Sequence, residues 1–167
     1  MADNDRPHVL MMSEITVDGK LTLKRGASSK ILMKYMAPET EILLHQIRAE
    51  CDAIMVGANT IRIDNSLLTV RLVEGKSPLR VIPSSRADIP QDANVLGADA
   101  RTVIAVSEAA PAEKVARLRE IGVDVVVAGE SRVDLPELMR ILKRDYGVER
   151  MMIEGGPTLN WSMLNHR

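Results

Sequence analysis

The sequence has no phenylalanine, one tryptophan and two tyrosines, so it offers no aromatic platform on which nucleic-acid bases could stack. Its 22 basic and 23 acidic residues leave a formal charge of −1. No basic stripe is therefore available for counterion release from a nucleic acid, and any anionic ligand must be held locally. The one cysteine, Cys51, excludes an internal disulfide and a sulfur-rich metal site; it reads as a small buried apolar residue in a reducing compartment. No stretch approaches the ~20 apolar residues of a membrane span, and no charged segment followed by an apolar core opens the chain. The expectation is a cytoplasmic protein with neither a membrane nor a nucleic-acid partner. His8, His45 and His166 are too scattered for a metal site, so no metal is expected, and His45, on a helix beside Arg48, reads as a surface residue.

What is present is an ordinary globular composition: 46% hydrophobic and 27% charged over 167 residues, with ten glycines and eight prolines. That length fits one domain, residues 1–167, with ten methionines filling an aliphatic core. Short apolar runs at 8–13, 53–56, 79–82, 102–106, 123–127 and 151–153 read as strands buried on both faces. Helical spacing runs from Pro38 to Cys51, with Glu39 and Glu41 in the first turn, and a shorter helical pattern covers Asn59 to Ile63. Pro111 to Ile121 opens on proline and ends before Gly122; Asp134 caps a helix to Tyr146 that Gly147 closes. A final helix is expected from Pro157 to Arg167, and the polar stretch Leu21 to Lys34 reads as an exposed loop. Alternating strands and helices predict an α/β protein with a mostly parallel sheet flanked by helices.

Two segments could carry chemistry. Strand 151–153 runs into Glu154-Gly155-Gly156 and a helix opened by Pro157 and Thr158. Glycines admit close backbone approach and a helix N-terminus carries positive dipole, so the turn suits a phosphate, although it could equally be a tight connection. It lacks the three glycines of a Rossmann turn and the lysine of a P-loop. The second segment, Gly57 to Asp64 with Leu67 to Arg71 beyond it, follows the strand at 53–56, and loops beyond the carboxyl ends of parallel strands can face one ligand. Arg48 and Arg71 are natural partners for a phosphate or carboxylate, or for a surface carboxylate.

Taken in order, Thr16-Val17-Asp18-Gly19-Lys20, Gly26-Ala27-Ser28, Ile47-Arg48-Ala49, Val56 to Asp64, Leu67 to Arg71 and Ile153 to Trp161 resemble the riboflavin-biosynthesis reductase family, the C-terminal reductase domain of the bifunctional deaminase/reductase. The resemblance is strongest to its free-standing archaeal members. It implies a dihydrofolate-reductase-like fold, a homodimer, and NADPH as cofactor, with NADH as the alternative. By the same resemblance Thr60, Asp64, Ser85, Gly156, Pro157, Thr158, Leu159 and Asn160 contact the cofactor. Ser28, Arg48, Leu68, Arg71 and Glu154 face a phosphorylated pyrimidine, with the two arginines clamping its phosphate. Lys20 and Glu154 are the candidates for polarising or protonating the imine or carbonyl that receives hydride. The implied reaction reduces a ribosylamino side chain to its ribityl form; a pterin or folate reductase and an inactive nucleotide-binding fragment are the alternatives. Glu14 stands where the family has Gly or Ala, and Pro83-Ser84-Ser85 replaces an apolar-Asp-Ser pattern. The family pattern also continues past the last helix, so sheet-completing strands are expected to be missing from this chain.

Overall fold

The apolar runs all enter one sheet. In the computed structural model, which describes residues 5–24 and 26–165, the elements are β1 (His8–Met11), α1 (Lys30–Met33), α2 (Pro38–Ala49), β2 (Ala53–Met55), α3 (Ala58–Asp64), β3 (Leu79–Pro83), β4 (Thr102–Val106), α4 (Ala112–Glu120), β5 (Asp124–Val127), α5 (Leu135–Tyr146), β6 (Arg150–Ile153) and α6 (Pro157–Asn165). The six strands lie in the order β1-β6-β2-β3-β4-β5, and every neighbouring pair is parallel. The expected parallel sheet with flanking helices is what forms. His166 and Arg167, the latter expected to end the last helix, lie outside the described residues.

Helices cover both faces, which is why β2 and β4 are buried along their whole lengths and read as unbroken apolar runs. Successive side chains of a strand point to opposite faces, and the core divides by that parity. Ile54, Ile82, Ile104 and Val106 pack with Ile61 of α3 and Leu118 of α4. Met55, Val81, Met151 and Ile153 pack with Leu138 and Leu142 of α5 and Leu159 of α6. Met152, of the opposite parity from its neighbours, meets Leu44 and Ile47 of α2 together with Cys51, which is buried as its composition suggested.

Local signals account for the helix ends. Asp134 caps α5, its carboxylate accepting from the Glu137 N–H at 2.9 Å, and Gly147 closes that helix at φ +67°. Leu135, Leu138, Met139 and Leu142 form its buried stripe. The stretch Leu21 to Lys34 departs from the loop reading: it contains the single helical turn α1, and Ser28 and Ser29, just before it, both donate to the Asp64 carboxylate. That tie, across more than thirty residues, folds the segment back over the sheet's carboxyl end. No helix among the described residues is long and apolar enough to cross a membrane.

β6 lies between β1 and β2, so the turns leaving these three strands converge. Met12 N–H donates to Ile153 O at 2.9 Å, Glu154 N–H to Met55 O at 3.1 Å and Gly57 N–H to Gly155 O at 3.0 Å.

Candidate active site

Two cavities open at this convergence. The first, about 330 Å³, lies under α1 and α2 and is lined by Lys30, His45, Arg48, Leu68 and Arg71 among others. The second, about 290 Å³, lies at the N-terminus of α6 and is lined by Gly57, Gly155, Gly156, Thr158 and Asn160 among others. Glu14, Ser29, Thr60, Asp64 and Glu154 line both. They form a common wall, so ligands in the two cavities would touch across it.

The wall is held by long-range bonds. The Glu154 carboxylate accepts from Arg48 Nε and from the other face of the same guanidinium fork, each at 2.6 Å, with the two side chains only 14% and 9% exposed. Arg48 also donates to Thr69 O at 3.2 Å. A bidentate pair so shielded fixes both groups in orientation. Asp64 is engaged by Ser28 and Ser29, and Thr60 Oγ1 accepts from Gly156 N–H at 3.1 Å. Glu14 differs: among the described residues its carboxylate, half-buried, has no partner.

Across the first cavity, Leu68 turns the backbone through φ +55°, and Arg71 donates to Thr69 O and Oγ1 at 3.3 and 2.8 Å, with no carboxylate partner among the described residues. His45 corrects the surface reading. It is 3% exposed, and its Nδ1 accepts from the Arg71 backbone N–H at 3.0 Å. Burial, then the Arg48 and Arg71 charges, lower its pKa to about 4, so the ring is neutral near pH 7.

In the second cavity Gly155 adopts φ +96°, a conformation side chains resist, and the Gly155–Gly156 peptide is cis. A Cβ on Gly156 would come within 3.2 Å of Thr60 Oγ1. Asn160 is buried; its Nδ2 donates to Ser13 Oγ at 3.1 Å while Oδ1 is left without a partner. An orphaned acceptor, glycine backbone open to close approach and a helix N-terminus suit a dinucleotide with a carboxamide donor and a pyrophosphate.

Of the residues singled out in the sequence, the structure brings Arg48, Thr60, Asp64, Leu68, Arg71, Glu154 and the 156–160 segment to these cavities, whereas Ser28 lines neither and instead donates to the Asp64 carboxylate, its neighbour Ser29 taking the place on the wall. Arg48 and Arg71 do not form two open guanidiniums, because the Arg48 fork is occupied by Glu154. Lys20 is outside the lining, exposed and paired with Asp18. Ser85 is outside it too: its Oγ accepts from Val133 N–H at 3.0 Å. The sequence reading missed Arg80, which is fully buried in β3 and donates to Thr102 Oγ1 at 2.8 Å, to Gly97 O at 2.6 Å and to the carbonyls of Leu67, Asn94 and Ala100. A charged residue inside an otherwise apolar strand was the available signal.

The chain is similar to several known proteins. The 2,5-diamino-6-ribosylamino-4(3H)-pyrimidinone 5′-phosphate reductase of Aquifex aeolicus is 49% identical over 164 residues, covering 98% of this chain and 73% of that protein. The reductase of the same name from Methanothermobacter thermautotrophicus is 46% identical, covering 95% of this chain and 72% of that protein. Among solved structures, a diaminohydroxyphosphoribosylaminopyrimidine deaminase/5-amino-6-(5-phosphoribosylamino)uracil reductase from Thermotoga maritima superposes with a TM-score of 0.75 at 25% identity, over 97% of this chain and 42% of that one. Acinetobacter baumannii RibD superposes with a TM-score of 0.80 at 22% identity, over 97% of this chain and 43% of that one. This chain thus spans less than half of these two longer proteins. The shared fold is dihydrofolate-reductase-like, as the resemblance implied. Residues 7–167 match the RibD C-terminal domain, and the chain belongs to that family.

Proposed function

We propose that this chain is an NADPH-dependent reductase that converts the ribosylamino side chain of 2,5-diamino-6-(ribosylamino)-4(3H)-pyrimidinone 5′-phosphate to the ribitylamino form in riboflavin biosynthesis. The observation that carries the reading is the common wall: two cavities of similar size share five residues, which suits a redox cofactor in one and its substrate in the other. Relatives bearing that reductase name are nearly half identical over almost the full chain.

When bound, the nicotinamide supplies hydride to C1′ of the ring-opened ribosyl group, where the C1′–N imine becomes an amine on taking one proton at nitrogen. The chain's own residues bind and orient. Thr158 and Leu159 offer free helix N-terminal N–H groups, and Asn160 Oδ1 offers its unused acceptor. Thr60 holds the glycine turn against α3. Glu154, fixed by Arg48 through both oxygens, holds an oriented carboxylate on the wall that both cavities share, beside the imine. Glu14, unpaired on the same wall, is placed to hold a proton beside it. Lys20, the other candidate for polarising the imine, is bound to Asp18 and lines neither cavity. The reading includes a cytoplasmic homodimer, the dimer supported by Trp161 and Leu164 of α6, which are 66% and 45% exposed.

Loss of NADPH absorbance that depends on the phosphoribosylamino-pyrimidinone is the expected result; its absence, or oxidation with dihydrofolate instead, overturns the reading. The glycine turn gives a narrower test. In Gly155→Ala the positive φ is strained by about 1–3 kcal/mol, and relieving it moves the turn. The NADPH Kd should rise about 10-fold in a fluorescence titration, while unchanged binding would detach the turn from the cofactor.

A further inference from the structure

We infer that His45 is a substrate-binding residue whose Nε2–H, with Arg71 and Lys30, receives the anionic group of the ligand in the first cavity. The assignment rests on the proposed function only in taking that group to be the substrate's phosphate monoester.

The ring's protonation follows from its contacts. Nδ1 accepts the Arg71 backbone N–H, so it carries no proton. The ring is neutral near pH 7, so its one proton is on Nε2. Nε2 has no hydrogen-bond partner among the described residues, yet it is not sealed in the core: the only buried side-chain nitrogen or oxygen atoms there without a partner are Arg150 Nε and Asn160 Oδ1. His45 is 3% exposed, and it lines the first cavity. Its unpaired N–H therefore opens on that cavity. A donor so buried and unsatisfied is costly unless a ligand or water meets it.

The surroundings set the sign of that ligand. Arg71 and Lys30, on the same lining, have no carboxylate partner among the described residues, whereas Arg48 is already matched by Glu154. Arg71 and Lys30 are thus the cations of this lining that no carboxylate contacts, with Nε2–H as a neutral donor on the same lining; the Glu14 and Glu41 carboxylates, also without a partner among the described residues, line the cavity as well and confine an anionic group to the Arg71, Lys30 and His45 donors. A neutral imidazole also keeps its Nδ1 free to anchor the Arg71 backbone, so one ring both presents a donor and positions a cation. A phosphate monoester, with three acceptor oxygens and about two charges, matches a set of one N–H, one guanidinium and one ammonium.

The test compares the phosphorylated substrate with its dephosphorylated counterpart. His45→Asn keeps an acceptor near the Nδ1 position for Arg71 but loses the Nε2 donor. KM for the phosphorylated substrate should rise roughly 10- to 100-fold, the range for a hydrogen bond to a charged group, with kcat nearly unchanged and KM for the dephosphorylated substrate unmoved. His45→Gln, which returns an amide N–H toward the Nε2 position, should recover most of the loss. Equal losses on both substrates would make His45 merely structural, and no loss on either would remove it from the site. If the wild-type protein turns over neither substrate, the proposed function fails by itself. Binding of inorganic phosphate by calorimetry then decides His45 separately: binding lost in His45→Asn supports the assignment, and equal binding or none overturns it.

Discussion

Glu154→Gln should lower kcat/KM by roughly 10²–10³-fold, within the span that positioned acid–base and charge-stabilising groups contribute, in an assay with saturating NADPH. Glutamine is almost the same shape, so the loss would not be one of packing. It presents one acceptor instead of two and turns an amide toward the guanidinium that Glu154 grips through both oxygens. Arg48, 7% exposed, is left with an unmatched charge beside the common wall. Breaking a shielded pair from one side typically costs about 3–5 kcal/mol of stability, so chemical denaturation should show a large loss as well. Activity and stability separate in the double replacement Arg48→Met with Glu154→Leu. There both charges leave together, stability should recover most of its loss, and activity should not return. Turnover within threefold of wild type in Glu154→Gln would remove the carboxylate from the reaction.

Arg80→Leu should cost about 3–5 kcal/mol, the range for removing one side of a buried charged network. At roughly 2–4 °C per kcal/mol for a chain of this size, Tm should fall by roughly 6–20 °C. Burial holds the Arg80 pKa below its usual value, and no carboxylate among the described residues bonds to it; its charge is solvated by loop carbonyls. Leucine strands those carbonyls without a donor. The damage should spread to the site. Arg80 ties Leu67 to the 94–100 loop, and Asn65 accepts two 2.8 Å bonds from Asn94, one at Oδ1 from the backbone N–H and one at its carbonyl from Nδ2. Together they support the segment that presents Leu68 to the first cavity, so KM should rise even in the fraction that remains folded. A Tm within 3 °C of wild type would refute this account.

The order of strands and helices could be read from the chain because the central strands β2 and β4 are covered on both faces, because the other strands also carry short apolar runs, and because Asp134, Gly147 and Pro157 mark helix ends. α1 could not be read, since one helical turn has no periodicity and owes its place to Asp64. The same limit governs the site. Arg48 and Glu154 were legible as residues facing one ligand, but they are 106 positions apart, and nothing local says that they neutralise each other. His45 was misread for the same reason: its burial depends on a backbone N–H 26 residues away. Arg80 could have been suspected, yet its acceptors come from loops that no pattern in the chain aligns.

The strand order also dictates when the site can come into being. β6 follows the other five strands of the described residues but sits between β1 and β2, pairing His8 with Arg150 and Ala53 with Met151. Such distant pairing is slow, because the intervening chain must surrender its freedom before any contact repays it. As the chain emerges from the ribosome, β1 and β2 stand with a strand-wide slot between them until β6 is made. Neither cavity has a floor until β6 fills the slot and brings Glu154 with it. A chain still lacking β6 has neither cavity, and a saturating ligand should therefore favour the insertion of β6.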